Sequence, residues 1–183
     1  MTRPPVLMTA RLTLRPYEMS DAAEMQRLVG APEVAYNTLR IPHPYPDGAA
    51  EEWIATHEQK FDERNEVVFA IALRESGELV GTIGLHLMPF DKAEIGYWIG
   101  VPYWGRGCAT EAVGAIIRYG FEELSLNRIE SNHFIRNPAS GRVMEKNGMR
   151  YEGLMRQAVK KGDEYIDIKV YGILRGDWEK SDR

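Results

Sequence analysis

Residues 93–112 read AEIGYWIGVPYWGRGCATEA, and this stretch decides the fold. Its first half alternates between two faces, as a β-strand does. One face carries Ile95, Tyr97, Ile99 and Val101, and the other carries Glu94, Gly96, Trp98 and Gly100. Two glycines on one strand face indicate a bulge, or the close approach of something other than a side chain. Pro102 has no backbone N–H, so we expect the hydrogen-bonded ladder to end there.

A glycine turn and a helix follow this strand. Gly105 and Gly107 allow the backbone to turn tightly and to come close to a ligand. The apolar residues that follow recur at helical spacing, namely Ala112, Val113, Ile116, Ile117, Phe121 and Leu124. Because a helix N-terminus exposes unpaired N–H groups and the positive end of the helix dipole, the turn predicts an anion site suited to a phosphate.

The composition indicates one globular domain over residues 1–183, with 44% hydrophobic and 27% charged residues. The net charge of −4 argues against a broad nucleic-acid-binding surface. No apolar run approaches the roughly 20 residues that span a bilayer, and the N-terminal residues lack the apolar core of a signal peptide. We therefore expect a cytoplasmic protein without a membrane partner.

Cys108 is the only cysteine, which excludes an intrachain disulfide and a cysteine-cluster metal site, and we predict no metal.

The remaining patterns predict an α/β (α+β) domain, with a mixed, mostly antiparallel, twisted sheet of about seven strands and about four flanking helices. We predict strands over residues 11–16, 67–73, 79–88, 94–101, 128–135, 151–160 and 165–174. We predict helices over residues 20–29 and 47–63, after Gly107, and over 138–147. Ser20 and Asp21 are typical of a helix cap, whereas Asn137 and Gly148 mark the borders of the last helix.

Several catalytic motifs are absent. His57 and Glu58 lack the second histidine of H-E-x-x-H, and Gly105-Arg106-Gly107 is not the full G-x-G-x-x-G fingerprint.

The combination of YWGRGCATEA with NPASGRVMEKNGM resembles the GCN5-related N-acetyltransferase (GNAT) superfamily. The opening RLTLRP, the central AEIGYWIG and the closing YIDIKVYGIL extend this resemblance over nearly the whole chain. The branch that looks nearest is the Rim type, the ribosomal-protein N-terminal acetyltransferases.

The resemblance implies acetyl-CoA as the donor, with its pyrophosphate bound by backbone amides of the glycine-rich turn. The matching positions are Trp104, Gly105, Arg106, Gly107, Cys108, Ala109 and Thr110. Trp104 stands where the superfamily has Arg or Gln, a departure that the Rim-type branch shares, and this puts a side-chain role there in doubt. The resemblance also implies that pantetheine lies between two splayed strands, beside Ile99, Gly100 and Val101. An amide N–H there would also stabilise the tetrahedral oxyanion.

Asn137 and Ser140 match the family's Asn-x-x-Ser. The resemblance implies that Asn137 contacts pantetheine, although a helix N-cap would by itself explain an Asn at this position. It implies that Ser140 places a hydroxyl near the CoA sulfur and donates a proton to the leaving thiolate. A thiol at a helix N-terminus, such as that of Cys108, permits a covalent acetyl-enzyme. We instead expect Cys108 to be a packing residue and the transfer to be direct.

The acceptor is expected to be an amine, which must lose a proton before it attacks a thioester. Glu94, at the start of the organising strand, is the first candidate base, acting directly or through water. The alternative interpretation of Glu94 is a solvated carboxylate at a strand end. His86, late in the preceding strand, is the second candidate base.

The Rim-type resemblance favours the N-terminal amine of a protein or peptide as the acceptor. A small amine, such as a polyamine, an amino acid or an antibiotic, is the alternative within the enzyme class, and a non-catalytic CoA-binding module is the alternative outside it. Residues 36–46 hold three prolines and two tyrosines and are either a lip over the substrate or a stiff connector. We expect this loop and residues 160–165 to line the acceptor side. An exposed strand edge and relatives that dimerise also favour a homodimer.

Overall fold

The computed structural model describes residues 3–181, over which eight strands form one sheet. The strands are β1 (Leu7–Met8), β2 (Leu12–Arg15), β3 (Glu66–Leu73), β4 (Leu79–Met88), β5 (Lys92–Ile99), β6 (Arg128–Phe134), β7 (Arg150–Lys161) and β8 (Glu164–Leu174). Their order across the sheet is β1-β2-β3-β4-β5-β6-β8-β7. Each predicted strand is present to within two residues at either end. The unpredicted β1 is too short for alternation to reveal it.

Helices flank this sheet. Over the same described residues the α-helices are α1 (Ala22–Val29), α2 (Pro32–Tyr36), α3 (Ala49–Ala55), α4 (His57–Asp62), α5 (Cys108–Glu122), α6 (Pro138–Lys146) and α7 (Arg175–Ser181). They outnumber the prediction because α2 and α7 were not expected and because one predicted helix is divided. Pro32, just past the predicted end of the first helix, occupies the first turn of α2, where its missing N–H costs no intrahelical bond.

Thr56 divides the helix that was predicted over residues 47–63 into α3 and α4. Its N–H donates to the carbonyl of Trp53, three residues earlier, at 3.1 Å, and its hydroxyl donates to the same carbonyl at 2.8 Å. An i→i−3 bond tightens the turn into a 3₁₀ form, and a threonine hydroxyl competes with the backbone for helical carbonyls. These two bonds end α3.

The start of the first helix also differs from the prediction. A 3₁₀ turn over Met19–Asp21 precedes α1, and Glu18 is the residue that caps this turn. The carboxylate of Asp21 accepts the backbone N–H of Glu18 at 2.8 Å and pairs with Arg15 at 2.7 Å. Asp21 therefore links the turn to β2. It occupies the N-cap position of α1, but its side chain makes no capping hydrogen bond to that helix.

The sheet opens between β5 and β6. These two strands are parallel, whereas the other neighbouring strands are antiparallel, so the predicted mixed sheet is confirmed. Pairing of β5 with β4 runs along the whole of β5, but its pairing with β6 covers only residues 92–94 and 128–130. Beyond Glu94 the two strands diverge and leave a gap in the middle of the sheet.

Helices cover both faces of the sheet. Phe69 of β3 packs edge-to-face on Tyr119 of α5, with ring centroids 5.7 Å apart, so odd-numbered β3 residues point to what we call the α5 face. Lys60 of α4 pairs with Glu66 of β3 at 3.0 Å, so even-numbered β3 residues point to the opposite, α4 face. Within residues 3–181, no helix is long and apolar enough to cross a membrane.

Candidate active site

A cleft of about 1020 Å³ opens where β5 and β6 diverge, and we call it the central cleft. Its walls include residues of both sheet faces, the roof loop (residues 37–48) and the anion loop (residues 104–110). The predicted site residues that line it are His86, Glu94, Ile99, Trp104, Gly105, Gly107, Cys108, Ala109, Asn137 and Ser140. The predicted residues outside its lining, within the described chain, are Gly100, Val101, Arg106 and Thr110.

The anion loop has the geometry that the sequence predicts. Gly105 and Gly107 have φ angles of 73° and 81°, which lie in the left-handed region that favours glycine. Gly107 is the N-cap of α5, and the first intrahelical bond runs from the N–H of Glu111 to the carbonyl of Gly107 at 3.1 Å. The amides of residues 108–110 therefore have no acceptor within the helix. A Cβ on Gly105 would meet no heavy atom within 4 Å, so the loop surface is open to a ligand.

Arg11 and Glu111 stabilise this loop through hydrogen bonds, and no sequence motif indicated either residue. The Arg11 guanidinium donates to the Arg106 carbonyl at 2.9 Å and to the Glu111 carboxylate at 2.8 Å. The hydroxyl of Thr9 donates to the same carboxylate at 2.6 Å. Burial by itself would raise the pKa of Glu111, but these hydrogen bonds and the Arg11 charge lower it below its ordinary value. The Glu111 charge in the first turn of α5 is thus balanced by Arg11.

The strand edge at the gap differs in detail from the prediction. The N–H of Gly100 donates to the Val80 carbonyl of β4 at 2.9 Å, so this amide does not face the cleft. Because antiparallel strands alternate their hydrogen-bonding direction, the backbone groups of Ile99 point the other way, towards the gap. The Trp104 indole N–H donates to the Ile99 carbonyl at 2.6 Å, which gives Trp104 a side-chain contact. A Cβ on Gly100 would lie 2.7 Å from Leu28 Cδ2, so a larger residue there would require the Leu28 side chain of α1 to shift.

Glu94 belongs to a row of polar side chains on the α4 face. Glu66 of β3 is in register with His86 of β4, and His86 is in register with Glu94 of β5. The side-chain N–H of Asn132, on β6, donates to Glu94 Oε1 at 2.8 Å. Glu94 is half-buried and oriented by this bond, which disfavours its interpretation as a freely solvated strand-end carboxylate.

The first turn of α6 holds the other predicted pair. Asn137 Oδ1 accepts the backbone N–H of Ser140 at 3.4 Å, which confirms the N-cap interpretation, and contact of Asn137 with pantetheine stays a prediction. The hydroxyl oxygens of Ser140 and Tyr97 are 2.6 Å apart. Burial raises the pKa of Tyr97 to about 12, although the hydrogen bond with Ser140 partly opposes that rise. No local pattern marks Tyr97 as a site residue, because its partner lies 43 positions further along the chain.

Glu94 and Ser140 approach the central cleft from opposite faces of the sheet. Glu94 shares the α4 face with Glu66, whereas Tyr97, an odd number of residues later, points to the α5 face and reaches Ser140. Gly96 lies between these two β5 residues, and a Cβ on it would meet no heavy atom within 4 Å. The gap therefore connects the Glu94 carboxylate on the α4 face with the Ser140 hydroxyl on the α5 face within one cleft.

Cys108 is the first residue of α5 and has only 4% of its surface exposed. It belongs to the main hydrophobic core, which includes Ala112 and Val113 of the same helix. This burial supports the packing role that we expected for its side chain.

The roof loop covers the cleft and is held by long-range contacts. The ammonium group of Lys161, at the end of β7, donates to the carbonyls of Thr38 and Ile41, each at 2.7 Å. Just before the loop, the Arg136 guanidinium lies 3.9 Å from the ring centroid of Tyr36, the last residue of α2, and donates to the Tyr36 carbonyl at 2.8 Å. Burial lowers the pKa of Lys161. Because residues of the roof loop line the cleft, the structure favours the lip over the simple connector.

Known proteins match this chain in sequence over most of its length. A family model described as an acetyltransferase (GNAT) domain matches residues 11–150. The uncharacterized N-acetyltransferase p20 of Bacillus licheniformis is 34% identical over 176 residues, which cover 94% of this chain and 97% of p20. A ribosomal-protein-serine acetyltransferase of Escherichia coli (strain K12) is 34% identical over 99 residues, which cover 53% of this chain and 55% of that enzyme.

A solved structure of similar fold is that of RimL, a ribosomal L7/L12 α-N-protein acetyltransferase, in complex with coenzyme A. The two structures have a TM-score of 0.85 at 18% identity, over 93% of this chain and 98% of RimL. This likeness confirms the expected fold. Because the family model spans most of the chain and p20 matches nearly all of it, the chain belongs to the GNAT acetyltransferase family and is an N-acetyltransferase.

Proposed function

We propose that this enzyme moves the acetyl group of acetyl-CoA directly to the N-terminal α-amine of a protein or peptide. The observation that carries the proposal is the central cleft, which joins the anion loop to the side chain of Glu94 through the gap between β5 and β6. The similarity to a ribosomal-protein-serine acetyltransferase and to RimL supports a protein acceptor. The reactive group that acetyl-CoA supplies is its acetyl thioester.

On the donor side, the anion loop fits a diphosphate. The amides of residues 108–110 lack acceptors within α5, and the positive end of the helix dipole lies beside them. The RimL structure holds coenzyme A on the same fold, which supports the assignment. We assign Trp104 to Thr110 to this cradle through their backbone, and we assign the gap-facing edge of Ile99 to the pantetheine arm. Gly100 and Val101 shape that edge by packing and by ending the strand.

On the acceptor side, we propose that Glu94 removes the proton of the attacking amine, directly or through water. Asn132 holds one oxygen of its carboxylate and so fixes the direction of the other. A protein N-terminus has a pKa of about 7.7–8.0, whereas that of a lysine side chain is about 10.4. Deprotonation of an α-amine by a carboxylate base therefore costs less free energy than deprotonation of a lysine side chain. This difference favours an α-amine as the acceptor.

We propose that Ser140 donates its hydroxyl proton to the leaving thiolate. A thiol has a pKa of about 8.5, so this help is modest but useful at neutral pH. The thiol of Cys108 is buried in the core, which supports direct transfer without an acetyl-cysteine. The lone, unpaired cysteine suits a reducing compartment, and we place the reaction in the cytoplasm.

The test is a product analysis with labelled acetyl-CoA. The acceptors are peptides with free N-terminal Ser, Ala or Met, the same peptides with a blocked N-terminus and one lysine, and spermidine. We expect mass spectrometry to place the label on the α-amine of the free peptides. Acetylation of spermidine alone would overturn the protein acceptor and leave the donor assignment intact. Labelling of the blocked peptides would move the acceptor to lysine.

A further inference from the structure

The hydroxyl of Tyr97 is directed at two acceptors on a single residue. Tyr97 Oη lies 2.6 Å from Ser140 Oγ and 3.3 Å from the Ser140 carbonyl oxygen. A carbonyl oxygen accepts only, so the one phenolic hydrogen of Tyr97 has both of its nearby acceptors on Ser140. The nearer of the two is Ser140 Oγ, at 2.6 Å against 3.3 Å, which favours Tyr97 as the donor in this pair.

The surroundings of Tyr97 keep it protonated. It is opposite Ile83 in the register of β4 and β5, on the α5 face, and packs against the hydrophobic core. Burial raises its pKa to about 12, so the phenol holds its proton throughout the neutral range. Tyr97 therefore remains a neutral hydrogen-bond donor over the pH range in which the enzyme would be assayed.

Ser140 has few hydrogen-bonding groups, and the structure provides a partner for most of them. Its backbone N–H is bound by Asn137 Oδ1, which fixes the residue in the first turn of α6. Its hydroxyl has one donor hydrogen and two acceptor sites. When Tyr97 occupies an acceptor site, the hydrogen of Ser140 is free to point elsewhere, and Ser140 lines the central cleft.

We propose that Tyr97 is a positioning residue for acetyl transfer, because its hydroxyl donates to Ser140 Oγ and directs the O–H of Ser140 towards the leaving sulfur. This inference rests on the proposed role of Ser140. As the thioester C–S bond breaks and its electron pair goes to sulfur, Ser140 gives its hydroxyl proton to that sulfur. Glu94 takes a proton from the attacking amine, and Ser140 regains a proton from Glu94 through water, while Tyr97 keeps its own.

A double-mutant cycle tests this coupling. We expect Tyr97→Phe to lower kcat about tenfold, the value of one hydrogen bond of about 1.4 kcal/mol. Ser140→Ala should lower kcat by about 10- to 100-fold, and the double variant should match Ser140→Ala, because Tyr97 acts only through that hydroxyl. Calorimetric affinity for CoA should stay at the wild-type value, and the thermal midpoint of the Tyr97→Phe protein should fall no further than that of the Tyr17→Phe control.

Tyr17 supplies the matched control. Its hydroxyl lies 2.5 Å from the Thr82 hydroxyl, so it forms a similar buried pair, but it lies outside the lining of the central cleft. Tyr17→Phe should leave kcat within about twofold of wild type, since its hydroxyl contributes to stability alone.

Each contrary outcome has a definite meaning. If Ser140→Ala lowers kcat but Tyr97→Phe does not, the positioning role is wrong and the proposed function stands. The positioning role is also wrong if the two effects multiply, or if Tyr97→Phe weakens CoA binding in step with kcat. It is wrong as well if Tyr97→Phe raises kcat, since Ser140 would then be the donor in the pair. If Ser140→Ala leaves kcat unchanged, the proposed proton donor and the inference both fall.

Discussion

The anion loop and the roof loop both border the central cleft, but different forces hold them. The anion loop takes its shape from its own backbone, with left-handed angles at Gly105 and Gly107 and the start of α5 directly after them. The roof loop has long-range supports from Lys161, which is 123 positions from Thr38. A ligand that binds to main-chain amides needs a local turn, whereas an acceptor pocket depends on contacts between distant segments.

The largest effect should come from breaking the anion loop. Gly107→Val forces a β-branched residue to a φ of 81°, with its Cβ 3.2 Å from the Arg11 guanidinium, so the loop amides must shift. Loss of two charge-assisted hydrogen bonds costs about 4 kcal/mol, and we expect CoA affinity, measured by calorimetry, to fall about 1000-fold.

Gly77→Val is the matched control for this change. Gly77 has a φ of 75° in the turn between β3 and β4, and nothing lies within 4 Å of its ideal Cβ. Both variants should lose thermal stability, but only Gly107→Val should lose CoA affinity. Equal CoA affinity in the two variants would show that the loop amides do not bind the diphosphate.

Removing the candidate base should give the next largest effect. Glu94→Gln keeps the shape and the Asn132 contact but cannot accept a proton, so we expect kcat/KM for the acceptor to fall about 100-fold, with CoA affinity unchanged. Steady-state kinetics with a peptide acceptor measure this.

Glu130→Gln is a suitable comparison for the base. Glu130 of β6 is in register with Glu94 of β5, but it pairs with Arg128 at 2.9 Å and lies outside the cleft lining. It should change kcat/KM by less than about fivefold. If both variants behave alike, a general loss of negative charge explains the result better than a lost base.

Loosening the roof loop sharpens the comparison between the two loops. Lys161→Met removes the ammonium that binds the carbonyls of Thr38 and Ile41. We expect the KM for the acceptor to rise about tenfold and the KM for acetyl-CoA to stay constant, because the anion loop has its own support. Residues 160–165, which were expected on the acceptor side, lie outside the lining of the central cleft. The neighbouring Lys160→Met, which removes an ammonium 5.3 Å from the Tyr165 ring, should therefore alter neither value. A rise in the KM for acetyl-CoA would show that the two loops are coupled.

The smallest effect concerns the brace of the anion loop. Hydrogen bonds hold the pKa of Glu111 below its ordinary 4.5, so its contribution to stability is complete above that value and is lost as the pH falls through the lowered folded pKa. Glu111→Gln should therefore reduce the free energy of unfolding by about 1 kcal/mol at pH 7. Urea titrations at pH 7 and at low pH measure this, and the two proteins should converge in acid. A constant difference at both pH values would contradict the charge-based explanation.

Local patterns were enough for most of the elements and for part of the site. An apolar run between two turns placed β4 at residues 79–88, and the Asn-Pro start and Gly148 end placed α6. The predicted helix over residues 47–63 missed the break at Thr56, because a threonine hydroxyl can bond a helical carbonyl within a helix or at its end. The helix α2 was missed because Pro32 is compatible both with the end of one helix and with the first turn of the next. Tyr97 and Asn132 gave no signal, since each acts on a residue far away in the chain. Lys161 lies in the segment 160–165 that was expected on the acceptor side, but no local pattern indicated its contacts with the roof loop.

Local sequence was sufficient for the backbone from β5 through the glycine turn into α5, because positive φ angles and unpaired helix amides depend on nearest neighbours. The tertiary structure alone decided that pairing between β5 and β6 stops after Glu94, and that Glu94 and Ser140 meet one cleft from opposite faces. Strand separation and side-chain partners across the sheet depend on packing between segments dozens of residues apart, and no local pattern contains that information.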